Sequence, residues 1–198
     1  MNLHPVLLVY QNTAAFSFPL ILAIGREPNS SGAIGELVGK YDWRRHPRGF
    51  WATANEVVAE TVRLEAREYK SECQRRNASP VAIANAMPRC AEEGSRQQSN
   101  RRSSTTLDEI RQHLGNLFKH TDILNRVRCV WLCGLEADVF GLSKRLLRES
   151  FLGGLPTICL RHMRNTNRPK IREALGNAGD EVAGIKEIFD AFKQATEP

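Results

Sequence analysis

The sequence predicts a three-layer α/β/α sandwich, in which helices cover both faces of a central, mostly parallel, four-stranded sheet. Four short and almost wholly apolar runs predict strands buried on both faces, at 18–24, 81–84, 127–132 and 157–160. Helix-like stretches separate these runs, and strands joined in this way form parallel sheets with right-handed crossovers. The 198 residues suffice for one such domain, to which we assign residues 1–198.

Strand-breaking residues bound three of the four predicted strands. The first run stops at Gly25 and Pro28, and the third closes with Cys133-Gly134. The fourth run begins after Gly153-Gly154-Leu155-Pro156. Glycine and proline interrupt regular structure, so these positions mark the ends of the predicted strands.

Two capping-box spacings mark helix starts. Thr53 and Glu56 predict one helix that runs to about residue 76, and Thr106 with Glu109 predicts the next. Further helices are expected at 136–150, 169–175 and 180–195. Segment 94–105 is polar, contains arginine and lacks periodicity, which predicts an exposed loop inside the domain.

Composition limits the class of protein and its compartment. No apolar run approaches the roughly 20 residues that span a bilayer, and no basic leader opens the chain, so we expect a cytoplasmic protein without membrane contact. Five cysteines without a C-x-x-C pair predict reduced, mostly buried thiols rather than a disulfide framework or a zinc site.

The net charge of +6 is carried largely by clustered arginines, at 44–48, 75–76, 101–102 and 161–168. Such clusters favour an anionic partner, and the alternative is a solvated basic surface.

Polar side chains follow three of the predicted strands. In parallel sheets, ligands bind beyond the carboxyl ends of the strands. Glu27 follows the first strand and Asn85 the second, while Arg161, His162 and Arg164 follow the fourth. A carboxylate, an amide, an imidazole and two guanidinium groups are therefore expected at one edge. Taken singly, each has a structural alternative as a capping, turn or surface residue. A P-loop is excluded because its Gly-Lys-Ser/Thr ending is missing.

These segments together resemble the uracil-DNA glycosylase superfamily. The turn Gly25-Arg26-Glu27-Pro28-Asn29 is similar to that family's GQDPY or GINPG turn. Ala84-Asn85-Ala86-Met87-Pro88 resembles its second-strand asparagine motif, and Leu160 to Asn165 its terminal H-P-S-P-R-N motif. Four further segments look like the mismatch-specific branch or the third-strand segment of the family, namely 29–32, Tyr41-Asp42-Trp43, His46-Pro47 with Phe50-Trp51, and 130–137.

The resemblance implies roles for individual residues. Glu27 and His162 take the catalytic positions, the first at the attacking water and the second at the departing base. Trp43, or second Tyr41, takes the position of the aromatic residue that stacks on the extruded base, and Asn85 that of the amide that reads its Watson-Crick edge.

The resemblance also implies a set of DNA contacts. Arg164 takes the position of the wedge that enters the duplex. We expect further contacts from Asn165, Arg161, Arg168, Ser30 and Ser31. The family's proline and serine after the histidine are absent here, and Glu replaces Asp or Asn in the turn. The four-cysteine cluster of the thermophilic branches is missing too, so we expect no iron-sulfur cluster, no other cofactor and no metal.

The activity implied is that of a monofunctional DNA glycosylase, a hydrolase that flips out a base and cleaves its N-glycosidic bond to leave an abasic site. Asn29 lies where ordinary uracil glycosylases have a tyrosine that blocks 5-substituted pyrimidines. We therefore favour a hydroxymethyl or glucosylated hydroxymethyl cytosine in phage DNA as the substrate, and a role in anti-phage defence. The loop 94–105 is then placed to enclose the sugar or contact phosphate, or is a plain surface loop.

Three alternatives stay open on the same fold. They are a uracil or thymine mismatch repair glycosylase, a non-catalytic DNA-binding module, and a nucleoside hydrolase. The favoured interpretation has DNA as its partner and acts as a monomer.

Overall fold

The computed structural model describes residues 7–26, 50–87, 106–163, 165–177 and 180–196. Its sheet has the strand order β1-β3-β2-β4-β5. The strands are β1 (Leu7–Leu8), β2 (Leu20–Gly25), β3 (Val81–Asn85), β4 (Val127–Cys133) and β5 (Thr157–Leu160). Strands β2 to β5 run parallel, which confirms the predicted four-stranded core, and β1 adds an antiparallel edge that was not predicted.

Burial explains why the central strands have uninterrupted apolar sequences. Every residue of β2 is buried, and in β4 only Arg128 is exposed. The edge strand β5 alternates between covered and exposed positions. Strands covered by helices on both faces read as continuous apolar runs, which is the pattern that allowed their prediction.

The helices form two layers around this sheet. They are α1 (Phe50–Thr61), α2 (Ala66–Arg76), α3 (Leu107–Leu117), α4 (Thr121–Leu124), α5 (Ala137–Glu149), α6 (Arg168–Gly176) and α7 (Asp180–Gln194), with 3₁₀ turns at Gln11–Ala15 and Asn165–Asn167. Helices α1, α6 and α7 pack together in one layer, and α3 packs with α5 in the other. The result is the predicted α/β/α sandwich. No helix in the described ranges is both long and apolar enough to cross a membrane.

The prediction of one helix from Thr53 to residue 76 is wrong. Thr53 is buried inside α1 and does not cap it. A Schellman motif ends α1, because Leu64 N donates to Ala59 O, Arg63 N donates to Glu60 O, and Arg63 takes a left-handed φ of 59°. The chain then restarts as α2. The capping box before α3 is confirmed, since the Thr106 and Glu109 side chains each accept the other's backbone N–H.

The described thiols are free and mostly buried, as predicted. Cys73, Cys129 and Cys133 are free and buried, whereas Cys159 is free and exposed on β5. Cys90 lies outside the described residues. Burial raises the pKa of the Cys133 thiol well above its usual value, which keeps that thiol protonated and inert.

Arg76 has a structural role, so its assignment to a cationic surface is wrong. Its side chain is only 7% exposed and donates to the carbonyl groups of Lys193 and Ala195 at the end of α7. Its Nε also lies 2.7 Å from Glu72 Oε1. Arg76 therefore joins α2 to α7 and is not available to a partner.

Candidate active site at the carboxyl edge of the sheet

The strand order creates a switch point at the carboxyl ends of β2 and β4. The chain leaves β2 to form β3 on one side, then returns to form β4 on the other side. In open α/β sheets, the two diverging connections leave a crevice at such a point, and ligands bind there. Strand β2 ends here at Gly25, and Gly134 directly follows β4.

The turn that follows β2 begins beside Asn85. Gly25 pairs with Asn85 in the parallel register of β2 and β3. The pairing continues past the strands, because Ala86 N donates to Gly25 O at 2.8 Å and Met87 N donates to Arg26 O at 2.9 Å. The first and second motifs predicted from the sequence are thus adjacent in space.

Phe50 brings His162 into the same cluster. A Cβ placed on Gly25 would lie 2.8 Å from Phe50 Cε2, so the ring packs directly on the glycine. The same ring meets the imidazole of His162 edge-on, with ring centroids 5.8 Å apart and an angle of 89°. Edge-to-face contacts of this kind are favourable and orient both rings. One aromatic side chain therefore contacts the first and the last motif.

Gly134 packs directly against the backbone of His162. Its φ of 64° suits glycine, and a Cβ there would lie 2.6 Å from the Cβ of His162. Gly134 N donates to Leu160 O at 2.9 Å, and Asn167 Nδ2 donates to His162 O at 2.9 Å. The segment that carries His162 is held from both sides.

His113 is a site residue that sequence reasoning missed. Its Nε2 lies 3.0 Å from the backbone oxygen of Asn85. Burial lowers the pKa of His113, while the Asn85 carbonyl acts in the opposite direction. Because a carbonyl only accepts, Nε2 carries the proton. The signal was present in the sequence, since His113 occupies an inward position among the buried residues Ile110, Leu114 and Leu117 of α3.

An ion pair crosses the switch point. Arg26 Nη2 lies 3.0 Å from Glu136 Oε1, and so joins the turn after β2 to the residue before α5. The two side chains are 26% and 38% exposed, so the pair contributes about 0–1 kcal/mol to stability.

Arg168 is engaged within the protein. Its Nη1 lies 3.2 Å from Glu56 Oε2, and its Nη2 donates to Glu60. Arg172 Nε approaches Glu60 from the same helix at 3.7 Å. These contacts join α6 to α1. The predicted DNA contact of Arg168 stays a prediction, whereas Arg161 is exposed immediately after β5.

Several predicted site residues lie outside the described part of the chain. They are Glu27, Asn29, Ser30, Ser31, Tyr41, Trp43 and Arg164, together with the loop 94–105. The backbone of Asn165 opens a 3₁₀ turn, and its side chain is not described. Of the predicted residues that are described, Asn85 and His162 come together around Gly25 and Phe50.

A cleft of about 810 Å³ has His162 in its wall, and Asn85 does not line it. It lies between the ends of β4 and β5, the start of α5 and one face of α6. In the described ranges, no group of three or more His, Cys, Asp or Glu residues is arranged to hold a metal ion.

Comparison with known proteins does not assign the chain to a family. No model of a known protein family matches it, and no curated protein matches it either.

Proposed function

We propose that the protein is a DNA glycosylase of the uracil-DNA glycosylase superfamily that excises a 5-substituted pyrimidine and leaves an abasic site. The observation that supports this most is the position of Phe50, whose ring packs on both Gly25 and His162. Gly25 in turn pairs with Asn85. Residues from three motifs far apart in the sequence thus meet at the switch point, where ligands bind in such sheets.

Cleavage of the glycosidic bond develops opposite charges on the base and the sugar, so the site needs a group of complementary charge beside each. The base departs as an anion, while the sugar gains cationic character, and preorganised charges stabilise both. His162 donates to the base oxygen. Glu27 follows Gly25 by two residues and supplies negative charge near the sugar, where it orients or deprotonates the attacking water.

The target base must first leave the duplex. Unstacking costs a few kcal/mol, which a stacking platform and a wedge offset. The resemblance assigns these tasks to Trp43, with Tyr41 second, and to Arg164. Asn85 then reads the exposed edge of the base, since its amide both donates and accepts.

The substrate we favour is a hydroxymethyl or glucosylated hydroxymethyl cytosine of phage DNA. Asn29 replaces the tyrosine that, in ordinary uracil glycosylases, excludes substituents at C5. In this proposal the enzyme acts as a monomer in the cytoplasm, where invading DNA arrives. The competing functions are mismatch repair, DNA binding without catalysis, and hydrolysis of free nucleosides.

A substrate panel tests the proposal. Duplexes that contain uracil, a thymine mismatch, hydroxymethylcytosine or its glucosylated form are incubated with the protein and treated with alkali, which cleaves abasic sites. Breaks confined to 5-substituted cytosines support the proposal. Breaks at uracil or thymine favour repair. Cleavage of free nucleosides alone favours the hydrolase, and no product on any substrate refutes the enzyme.

Matched variants test the site. Glu27→Ala and His162→Ala should each lower the single-turnover rate about 10²–10⁴-fold, because each removes a group that acts on the reacting atoms. His120→Ala and Glu149→Ala make the same changes at exposed positions outside the site, and should leave the rate unchanged. Full activity in both site variants would refute the assignment.

A further inference from the structure

The cleft beside His162 has the size of a ligand site. Its volume of about 810 Å³ falls within the roughly 300–1,000 Å³ that is typical of such sites. His162 forms part of its wall, so a ligand in the cleft lies directly next to the proposed reaction centre. Of the described residues given a role in base excision or DNA contact above, only Arg161 and His162 line this cleft.

The two sides of the cleft differ in chemistry. Leu135, Phe140 and Ala174 give it an apolar side and are partly buried against the core. Arg161 and Lys170 are exposed and line the polar side. Within the described residues, neither cation has a carboxylate at ion-pair distance, in contrast to Arg26 and Arg168. Two cations without an ion-pair contact to a described residue, beside an apolar wall, favour a ligand that is both anionic and partly apolar.

We propose that this cleft binds a nucleotide of the DNA strand that carries the target base, next to the target itself. Its phosphodiester contacts Arg161 and Lys170, and its base packs against Leu135 and Phe140. This inference rests on the proposed function for the identity of the strand. Glu173 also lines the cleft and is exposed. Its carboxylate repels phosphate, and so weakens the binding that the two cations provide.

Salt dependence tests the two cations. Each phosphate contact contributes about 0.7 to the slope of log affinity against log salt for single strands, and about 0.9 for duplexes. Arg161→Gln combined with Lys170→Gln should therefore flatten the slope by about 1.4–1.8. Arg145→Gln with Arg148→Gln removes the same charge from exposed positions of α5 outside the cleft, and should leave the slope within about 0.4. Equal slopes for both double variants would overturn the inference.

Glu173→Gln provides a test of opposite sign. Removal of the carboxylate should tighten DNA binding by up to about fivefold at low salt, because it removes one repulsion at short range. The gain should fade as salt is added. Unchanged or weaker binding would contradict a phosphate at this position.

Cys159 reports directly on occupancy of the cleft. It is an exposed free thiol in the cleft wall, whereas Cys73, Cys129 and Cys133 are buried. Alkylation with a maleimide, followed by peptide mass spectrometry, reads Cys159 separately from every other cysteine. A saturating oligonucleotide that contains glucosylated hydroxymethylcytosine should slow modification of Cys159 at least about tenfold, since a seated nucleotide covers the cleft.

The outcomes separate this inference from the proposed function. Protection of Cys159 without base excision on any substrate of the panel supports the cleft and refutes the glycosylase. Excision without protection, on DNA that anisotropy shows to be bound, refutes the cleft and leaves the glycosylase standing. No DNA binding at all overturns both.

Discussion

Gly134→Ala is the substitution that tests most sharply how the site is held. The residue has a φ of 64°, and a left-handed backbone costs a residue with a Cβ about 1–2 kcal/mol. The new Cβ would also lie 2.6 Å from His162 Cβ and 2.7 Å from its Cα. Overpacking against backbone of this kind costs about 1–3 kcal/mol. We expect the variant to lose about 2–5 kcal/mol of unfolding free energy if His162 stays in place.

The alternative response is a movement of His162, and it has its own signature. Ordinary contacts begin at 3.4 Å, so relief of the clash requires the segment at His162 to move by about 0.8 Å. A misplacement of about 1 Å can cost 10²-fold in rate. A smaller loss of stability must therefore be accompanied by a large loss of single-turnover activity.

Urea unfolding and single-turnover kinetics, measured on the same variant, distinguish a loss of stability from a movement of His162. The matched control is Gly141→Ala, which lies inside α5 with nothing within 4 Å of the added Cβ. It should gain about 0.5–1 kcal/mol from helix propensity and keep full activity. A Gly134→Ala variant that changes the unfolding free energy by less than about 0.5 kcal/mol and also retains the parental rate would contradict close packing of Gly134 on His162.

Three further predictions concern the groups around this site and the core. Because the folded pKa of His113 lies below its unfolded value of about 6.5, the stability it contributes is complete above that pH and is lost as the pH falls below it. Urea midpoints measured between about pH 5 and 8 should show this decline, and His113→Gln should flatten it whereas His120→Gln should not. Asn85→Ala should lower kcat/KM on the modified duplex roughly 10- to 100-fold, and an unchanged value would remove Asn85 from the base-reading role. Arg76→Met should lower the unfolding free energy by about 1.5–3 kcal/mol. The control is Arg75→Met, which should change it by less than about 0.5 kcal/mol because the Arg75 side chain is 63% exposed. Equal losses in the two variants would contradict the structural role of Arg76.

The parallel core could be predicted because its physical cause is visible in single segments. Strands covered on both faces must be apolar throughout, and β2 and β4 meet that condition over almost their whole length. The edge strand Leu7–Leu8 has only two residues and is therefore too short to show a periodic pattern in the sequence. Its place in the sheet depends on pairing with Ile83 and Ala84 of β3, which lie 75 and 77 residues further along the chain from Leu8 and Leu7.

The break between α1 and α2 could not be predicted for a different reason. No glycine or proline marks it, and Arg63 adopts the left-handed conformation that glycine usually occupies at helix ends. The spacing of Thr53 and Glu56 predicted a helix start wrongly, because the same two residue types also occur inside helices. Thr53 lies within α1 and is buried there by tertiary packing.

Part of the site followed from one topological rule. Asn85 and His162 end or follow strands, and parallel strands bring such positions to one edge. The residues that hold them were not predicted, because Phe50 and His113 act through contacts between segments distant in sequence. The helical pattern of α3 places His113 on its inward face, but that pattern does not indicate the contact with Asn85, which lies 28 positions away.

Release of the modified base as a free molecule is the most direct test of the central claim. Phage-type DNA that contains glucosylated hydroxymethylcytosine is incubated with the protein, and the small-molecule fraction is analysed by mass spectrometry beside a count of abasic sites. We predict the intact free base in a one-to-one ratio with abasic sites, and His162→Ala should form both about 10²–10⁴-fold more slowly. Intact DNA with no free base, or fragments released as nucleotides, would contradict it.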